Sequence, residues 1–140
     1  MGVNVNVETV NNYKYKLTDG IREQTTIIED ETIHLTEAGT SRVLAKLYAN
    51  GLLDVMPGYA WDGASGPVVQ TDAMLRASCV HDVLYQMIRR GLLDVSFRQA
   101  ADETMYQVLR RHGVSWFRAQ YVYWALRAFG ASSAQPHSQI

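Results

Sequence analysis

The sequence predicts an α+β fold: an N-terminal antiparallel β meander with hairpins, followed by three C-terminal α-helices. Three observations carry this. Up to residue 56, apolar and polar residues mostly alternate with a period of two. From residue 72 onward, apolar residues recur at helical spacing. Between the two lies a stretch broken by Gly58, Gly63, Gly66 and Pro67, which suits an irregular connection. The expected organisation is one domain over 1–130: mainly β over 1–56, loop over 57–71 and helical over 72–130. A small, polar tail over 131–140 is expected to be flexible.

Val3, Val5 and Val7 alternate with Asn4 and Asn6, which predicts a short strand or extended arm. Tyr13, Tyr15 and Leu17 alternate with Lys14, Lys16 and Thr18 and make a strand. Asp19-Gly20 then reads as a two-residue hairpin turn, with Ile21 to Ile28 as the return strand. Ile33 and Leu35 continue the alternation after the acidic turn Glu29-Asp30-Glu31. Residues 42–56 fit two templates. Val43, Leu44, Leu47 and Tyr48 match helical spacing with Gly51 as a stop, and Asn50-Gly51 equally makes a hairpin turn. The hairpin is preferred because the preceding chain already reads as a meander.

The helical half is punctuated by caps. Thr71 or Asp72 opens a helix to about Arg90, with Val80, Val83, Leu84, Met87 and Ile88 on its buried face. Gly91 ends it. Ser96 with Gln99 three residues later forms a capping box for a helix to about His112, with Ala101, Met105, Val108 and Leu109 inward. Ser115 caps a third, strongly aromatic helix over Trp116 to Phe129, with Gly130 at its end. The short connection makes the first two helices antiparallel neighbours.

Bulk properties exclude several classes. Net charge is −1, so no global basic field favours nucleic acid or an anionic membrane. The lone Cys79 excludes an internal disulfide and fits a reducing compartment or a protein that does not rely on disulfides. Met1 to Val10 has neither a basic nor an apolar signal-peptide region, and no apolar run reaches membrane-spanning length. His34, His112 and His137 show no metal-ligand spacing. Arg89-Arg90 and Arg110-Arg111 read first as solvated helix ends, with a phosphate-contact role ranked second.

The candidate site lies between Gly58 and Asp102. His81 and Tyr85, four residues apart, share one helix face, and Asp82 stands about 100° round from His81. Asp102, beside Ala101 and Met105, points inward on the next helix and needs a partner, for which an imidazole N–H and a tyrosine O–H are suited. An Asp holding one ring nitrogen of His81 would leave the other as a general base. The Trp61–Pro67 loop, with Asp62 and Gly63, has carbonyls and room for a hard cation such as calcium (Ca2+), shared with Asp82. The bland alternative is a core histidine satisfied by Asp102, beside a loop that only connects sheet to helices. Cys79 stands two residues from His81, so the two diverge on a helix and make a poor nucleophile pair.

Two resemblances arise at these residues. Gly58-Tyr59, Asp62-Gly63-Ala64-Ser65, Pro67, His81-Asp82 with Leu84-Tyr85, Ala101-Asp102 and Arg127 to Gly130 resemble, in order, a family of small phage and prophage proteins labelled only as a domain of unknown function. That resemblance covers Val55 to Gly130. It implies viral origin, with residence in the host cytoplasm or the virion and other virion or tail proteins as partners. The site motif is also similar to phospholipase A2: a Gly-rich calcium loop, a helix with His-Asp and a Tyr four after the His, and an Asp on the following antiparallel helix. The likeness falls on Trp61 to Gly66, on His81, Asp82 and Tyr85, and on Asp102. It implies a calcium-dependent esterase acting on phospholipid. Unlike the secreted phospholipases, the chain has only Cys79 near its His-Asp pair, and Asp62 stands in a loop poorer in glycine.

Overall fold

A computed structural model describes residues 7–10, 13–64 and 68–131. The Val3–Val5 arm, Ser65 to Pro67 of the loop and the 132–140 tail lie outside the described residues. Seven strands, β1 (Val7–Val10), β2 (Tyr13–Leu17), β3 (Ile21–Gln24), β4 (Ile33–Thr36), β5 (Val43–Leu47), β6 (Leu52–Val55) and β7 (Ala60–Trp61), precede three helices. These are α1 (Asp72–Arg89), α2 (Arg98–Arg111) and α3 (Trp116–Phe129), with one 3-10 turn, Val95–Phe97, ahead of α2. The α+β order is the expected one.

The strands form two antiparallel sheets, β1-β2-β7 and β3-β6-β5-β4. The hairpin expected at Asp19-Gly20 is therefore not made: β2 pairs with β1 and β7, and β3 pairs with β6, Ile21 opposite Val55. Gly20 does not take a positive φ, as that turn would require. Its missing side chain serves closeness instead, since a Cβ there would stand 2.8 Å from the Val55 carbonyl oxygen. The chain thus changes sheets at Gly20, pressed against β6.

Residues 43–55 do form a hairpin, β5 against β6, with Ala45 opposite Val55. Its loop has three residues rather than two. Gly51 N donates to the Tyr48 carbonyl at 2.8 Å and Gly51 alone is left-handed, while Asn50 Oδ1 accepts from Leu52 N at 3.1 Å.

Thr71 caps α1 through its hydroxyl, and Ser115 likewise caps α3. The Ser96 capping box is not formed. Asp94 accepts from Ser96 N at 2.9 Å and caps the 3-10 turn, so α2 starts later, at Arg98, without a side-chain cap. The better acceptor two residues earlier takes the orphan amide.

Leu35, Ala45, Leu47, Leu53 and Val55 of the larger sheet pack with Val80, Val83, Leu84, Met87 and Ile88 of α1 in the main core. A second cluster, Met74, Ala77, Met105, Val108, Leu109, Ala119 and Val122, joins the three helices. Arg76 of α1 and Arg111 of α2 meet at Glu23, whereas Tyr85 and His81 meet Asp102. The two helices therefore run antiparallel, and this fixes the site between them.

Glu23 was not foreseen as a structural residue, although it shares the inward row of β3 with buried Ile21. It is buried and engages Arg76 Nε, Arg111 Nη1 and, at 2.7 Å, His112 Nε2. Burial alone would raise its carboxyl, but the Arg76 and His112 hydrogen bonds and the Arg76 charge outweigh that and hold it low. Arg111 is thus an anchor between sheet and helices rather than a solvated helix end. Arg90 likewise donates to the Thr36 carbonyl at 2.8 Å.

Candidate functional site

The structure brings His81, Tyr85 and Asp102 together. Asp102 is fully buried on α2. Its Oδ1 accepts from Tyr85 Oη at 2.6 Å and lies 2.8 Å from His81 Nε2. The His81 and Tyr85 rings, one helical turn apart, lie 4.1 Å between centroids. Burial would raise the Asp102 carboxyl, but the hydrogen bonds from His81 and Tyr85, with the charges around it, hold it below the usual range. A carboxylate facing Nε2 fixes a proton there and leaves Nδ1 basic. Nδ1 makes no hydrogen bond with any described residue.

Two arginines complete the cluster, and the sequence assigns neither a role in it, although Arg127 opens the last motif segment of the phage-family resemblance. Arg127 Nη1 donates to Asp102 Oδ2 at 2.8 Å, and Arg98 Nη2 stands 4.0 Å from the same oxygen. Arg98 also donates from Nε to Tyr85 Oη at 3.2 Å and from Nη2 to the Leu126 carbonyl at 2.7 Å. It thereby neutralises the C-terminal end of α3 while holding the tyrosine. Gly130 leaves the space this needs, because a Cβ there would sit 2.8 Å from Tyr85 Oη. The geometric hint in the sequence is Arg98 four residues before Asp102, a helix-face pairing.

Asp82 takes the neighbouring position. Tyr59 Oη lies 3.0 Å from Asp82 Oδ2 and 2.9 Å from Gln86 Oε1. One hydroxyl proton cannot serve both, and turning the Gln86 amide so that its NH2 donates to Tyr59 frees that proton for Asp82. Burial pushes the Asp82 carboxyl up, and the nearby Asp62 charge adds to this, while Tyr59, Arg89 and His81 pull it down. Asp62 itself accepts from Lys14 N at 3.3 Å.

The remaining loop residues divide. Gly63 lines the cleft described below. Trp61 points into the core, where its indole N–H donates to Ser78 Oγ at 2.9 Å, so only its backbone is left for a cation. Gln70 pins the loop by accepting from Ala64 N at 3.2 Å and donating to the Ala64 carbonyl at 2.9 Å. Among the described residues no group of three or more His, Cys, Asp or Glu side chains is placed to hold a metal. Cys79 is buried and its thiol is pushed well up by desolvation, which suits packing rather than nucleophilic attack.

His81, Asp82 and Tyr85 line a cleft of about 330 Å³. Its other walls are mostly apolar: Ala64 and Val68 from the loop, Met105 from α2, and Val122, Leu126 and Phe129 from α3. Arg89, two turns along α1 from His81, adds a cationic group to the lining. That volume falls within the range of ligand sites, ~300–1,000 Å³.

Fold and site together define a small α+β protein whose helix-borne His–Asp–Tyr cluster, braced by a buried carboxylate, faces an apolar cleft. The chain belongs to the family described as "Protein of unknown function (DUF1353)", which matches residues 42–126. That span takes in β5, β6, the loop, α1, α2 and most of α3, and so, among the described residues, each hydrogen-bond or ion-pair partner of Asp102 except Arg127. No curated protein and no solved structure matches the chain.

Proposed function

We propose that this protein is an esterase acting on phospholipid, with His81 as general base. The observation that supports this best is the setting of His81. One ring nitrogen is held by buried Asp102, and the ring, partly exposed, forms part of the wall of a largely apolar cleft. A histidine kept only for packing would be covered by side chains.

In the proposed reaction the ester's acyl chain lies along Val68, Met105, Val122 and Leu126. Nδ1 of His81 removes a proton from water as its oxygen bonds to the ester carbonyl carbon. Asp102 stabilises the imidazolium through Nε2–H. When the tetrahedral adduct collapses, the C–O bond to the leaving alcohol breaks and the imidazolium returns its proton to that oxygen. The products are a fatty acid and a lysophospholipid. Tyr85 and Arg127 fix the Asp102 carboxylate and act as positioning residues.

Asp82 and Asp62 fit a hard cation in part. The Asp62 charge stands close enough to push the Asp82 carboxyl up, a repulsion that a Ca2+ ion would relieve, and carbonyls of Trp61 or Gly63 or water would complete its oxygen shell. Such an ion would supply stabilisation of the developing oxyanion. A phage or prophage origin, with a role in lysis or entry, accords with the sequence motifs.

Fatty-acid release from mixed phospholipid, with and without chelator, for wild type and His81→Ala tests the reading. Release that needs His81 supports it, and equal release by the variant overturns it. A second reading, a non-enzymatic virion or tail protein that keeps the cluster for folding, is favoured by one feature. Asp102 ties α1, α2 and α3 through His81, Tyr85 and Arg127, an anchoring role that needs no substrate.

A further inference from the structure

Among the described helices, α3 turns its large side chains away from the protein. It buries Ala119 and Val122 and half-buries Tyr123 and Leu126, whereas Phe117 is 81%, Trp124 61%, Tyr121 58% and Trp116 51% exposed. Phe117, Tyr121 and Trp124 follow i, i+4, i+7 spacing and so form one outward stripe. An exposed apolar patch of this kind marks an interaction surface.

Two further features indicate what covers it. Residues 116–129 contain no Asp or Glu; their charges are Arg118 and Arg127, and Arg127 is committed to Asp102. Arg118 is exposed, as is Arg110 at the adjoining end of α2, whose Nη1 also donates to the Val114 carbonyl at 3.1 Å. The stripe is also continuous with the cleft, because Tyr121 lines it together with Phe129, which is 82% exposed at the helix end. Exposed Val69 extends the rim beyond Val68 on the opposite wall.

We propose that this face of α3 docks on an anionic phospholipid bilayer. Phe117, Tyr121 and Trp124 enter the boundary between headgroups and acyl chains, and Arg118 and Arg110 meet lipid phosphates. Tyrosine and tryptophan have an apolar body and a polar tip, which suits that boundary. Arg118 and Arg110 flank the aromatic stripe, where lipid phosphates would meet them while the aromatic rings sit at headgroup level. A second copy of the chain fits less well, because self-pairing of so short a face would bring like-charged arginines together. The docking itself does not require hydrolysis. Its consequence, that the cleft mouth is set on its substrate, rests on the esterase reading.

The test uses the full chain and sedimentation with vesicles of phosphatidylcholine alone or mixed with phosphatidylglycerol. Wild type is expected to partition onto the mixed vesicles. Its tryptophan emission should shift to the blue, since Trp116 and Trp124 are exposed and Trp61 is already buried. Phe117→Ser/Trp124→Ser, which alters no cleft-lining side chain, should lower partitioning by about tenfold or more. It should leave circular dichroism and hydrolysis of a monomeric short-chain phospholipid unchanged. Wild type that ignores anionic vesicles, or a double variant that binds them equally, overturns the docking. So does a wild-type dimer that the double variant abolishes without any vesicle binding, which would assign the face to a second copy. Vesicle binding through α3 with no fatty-acid release from any lipid supports the docking and overturns the esterase reading instead.

Discussion

Replacing Asp102 separates what the carboxylate does for the fold from what it does for chemistry. Asp102→Ala strips the acceptor from Tyr85, His81 and Arg127 at once, in a fully buried position. Breaking a buried charged cluster in this way costs about 3–5 kcal/mol. Total stability is only ~5–15 kcal/mol, so the variant should lose a large share of it and unfold at much lower urea concentration. Asp102→Asn is the informative change. With its oxygen toward Oδ1's place, the amide still accepts from Tyr85 and His81 but turns its NH2 on Arg127 Nη1, 2.8 Å from Oδ2 in the native protein. Arg127, at 27% side-chain exposure, can swing toward solvent, so this arrangement should cost ~1–3 kcal/mol. With the amide reversed, NH2 faces His81 Nε2, which must then accept. The imidazole proton moves to Nδ1, and the base becomes a donor. Either way the imidazolium loses its counter-charge, and hydrolysis should fall by about 10³–10⁴-fold. The assays are urea unfolding by circular dichroism and fatty-acid release on the same preparations. Asp102→Asn with full activity would refute the catalytic role, and Asp102→Asn as unstable as Asp102→Ala would refute the hydrogen-bond accounting.

Glu23→Ala should destabilise by about 3–5 kcal/mol, because Arg76 and His112 lose a buried acceptor; an unchanged urea midpoint would contradict this. Gly130→Ala should lower both stability and activity, since its Cβ would meet the Leu126 carbonyl oxygen at 2.7 Å and Tyr85 Oη at 2.8 Å, so that the end of α3 must shift and Tyr85 is pressed away from Asp102; retention of both would show that α3 can shift freely. Acid should unfold the protein in a predictable window. The carboxyls of Glu23 and Asp102 are depressed in the folded state, so their contribution is fully present above the ordinary unfolded carboxylate range, about 3.9–4.3, and is lost as pH falls through the lower folded values. Asp82 works in the opposite sense. Its folded carboxyl is raised, so its contribution declines as pH rises from the unfolded toward the folded value, and Asp82→Asn should be more stable than wild type near neutrality while binding Ca2+ more weakly in calorimetry.

The helical half was legible because its signals are local. Hydroxyl caps at Thr71 and Ser115, and 3.6-residue periodicity, set α1 and α3 almost to the residue. His81, Tyr85 and Asp102 could be grouped in advance because two share a helix face and the third lies on the next antiparallel helix, where a short connection fixes the register. The β half was only partly legible. Alternation marked the strands but not their partners, and Asp19-Gly20 has the composition of a hairpin turn while serving as a crossing between sheets. Partners that come from far along the chain left little trace. Arg127 reaches Asp102 across 25 residues, and His112 reaches Glu23 across 89. An acid on the inward row of β3 was the one available sign of the second cluster.

The two buried carboxylates hold the same helix from its two ends. Glu23 takes Arg111 and His112 at the C-terminal end of α2, and Asp102 stands near its start. Fixing α2 at both ends fixes where Asp102 lies relative to α1, and therefore how His81 is presented to the cleft. The two oxygens of Asp102 divide the work: Oδ2 faces Arg127 of α3, and Oδ1 faces His81 and Tyr85 of α1. A protein that needed only the fold could use Oδ2 and Tyr85 and place any apolar side chain at position 81. A partly exposed imidazole at that position, held by the remaining hydrogen bond beside an apolar cleft, is what a purely architectural cluster does not require. That is why loss of His81 should cost activity far more than stability.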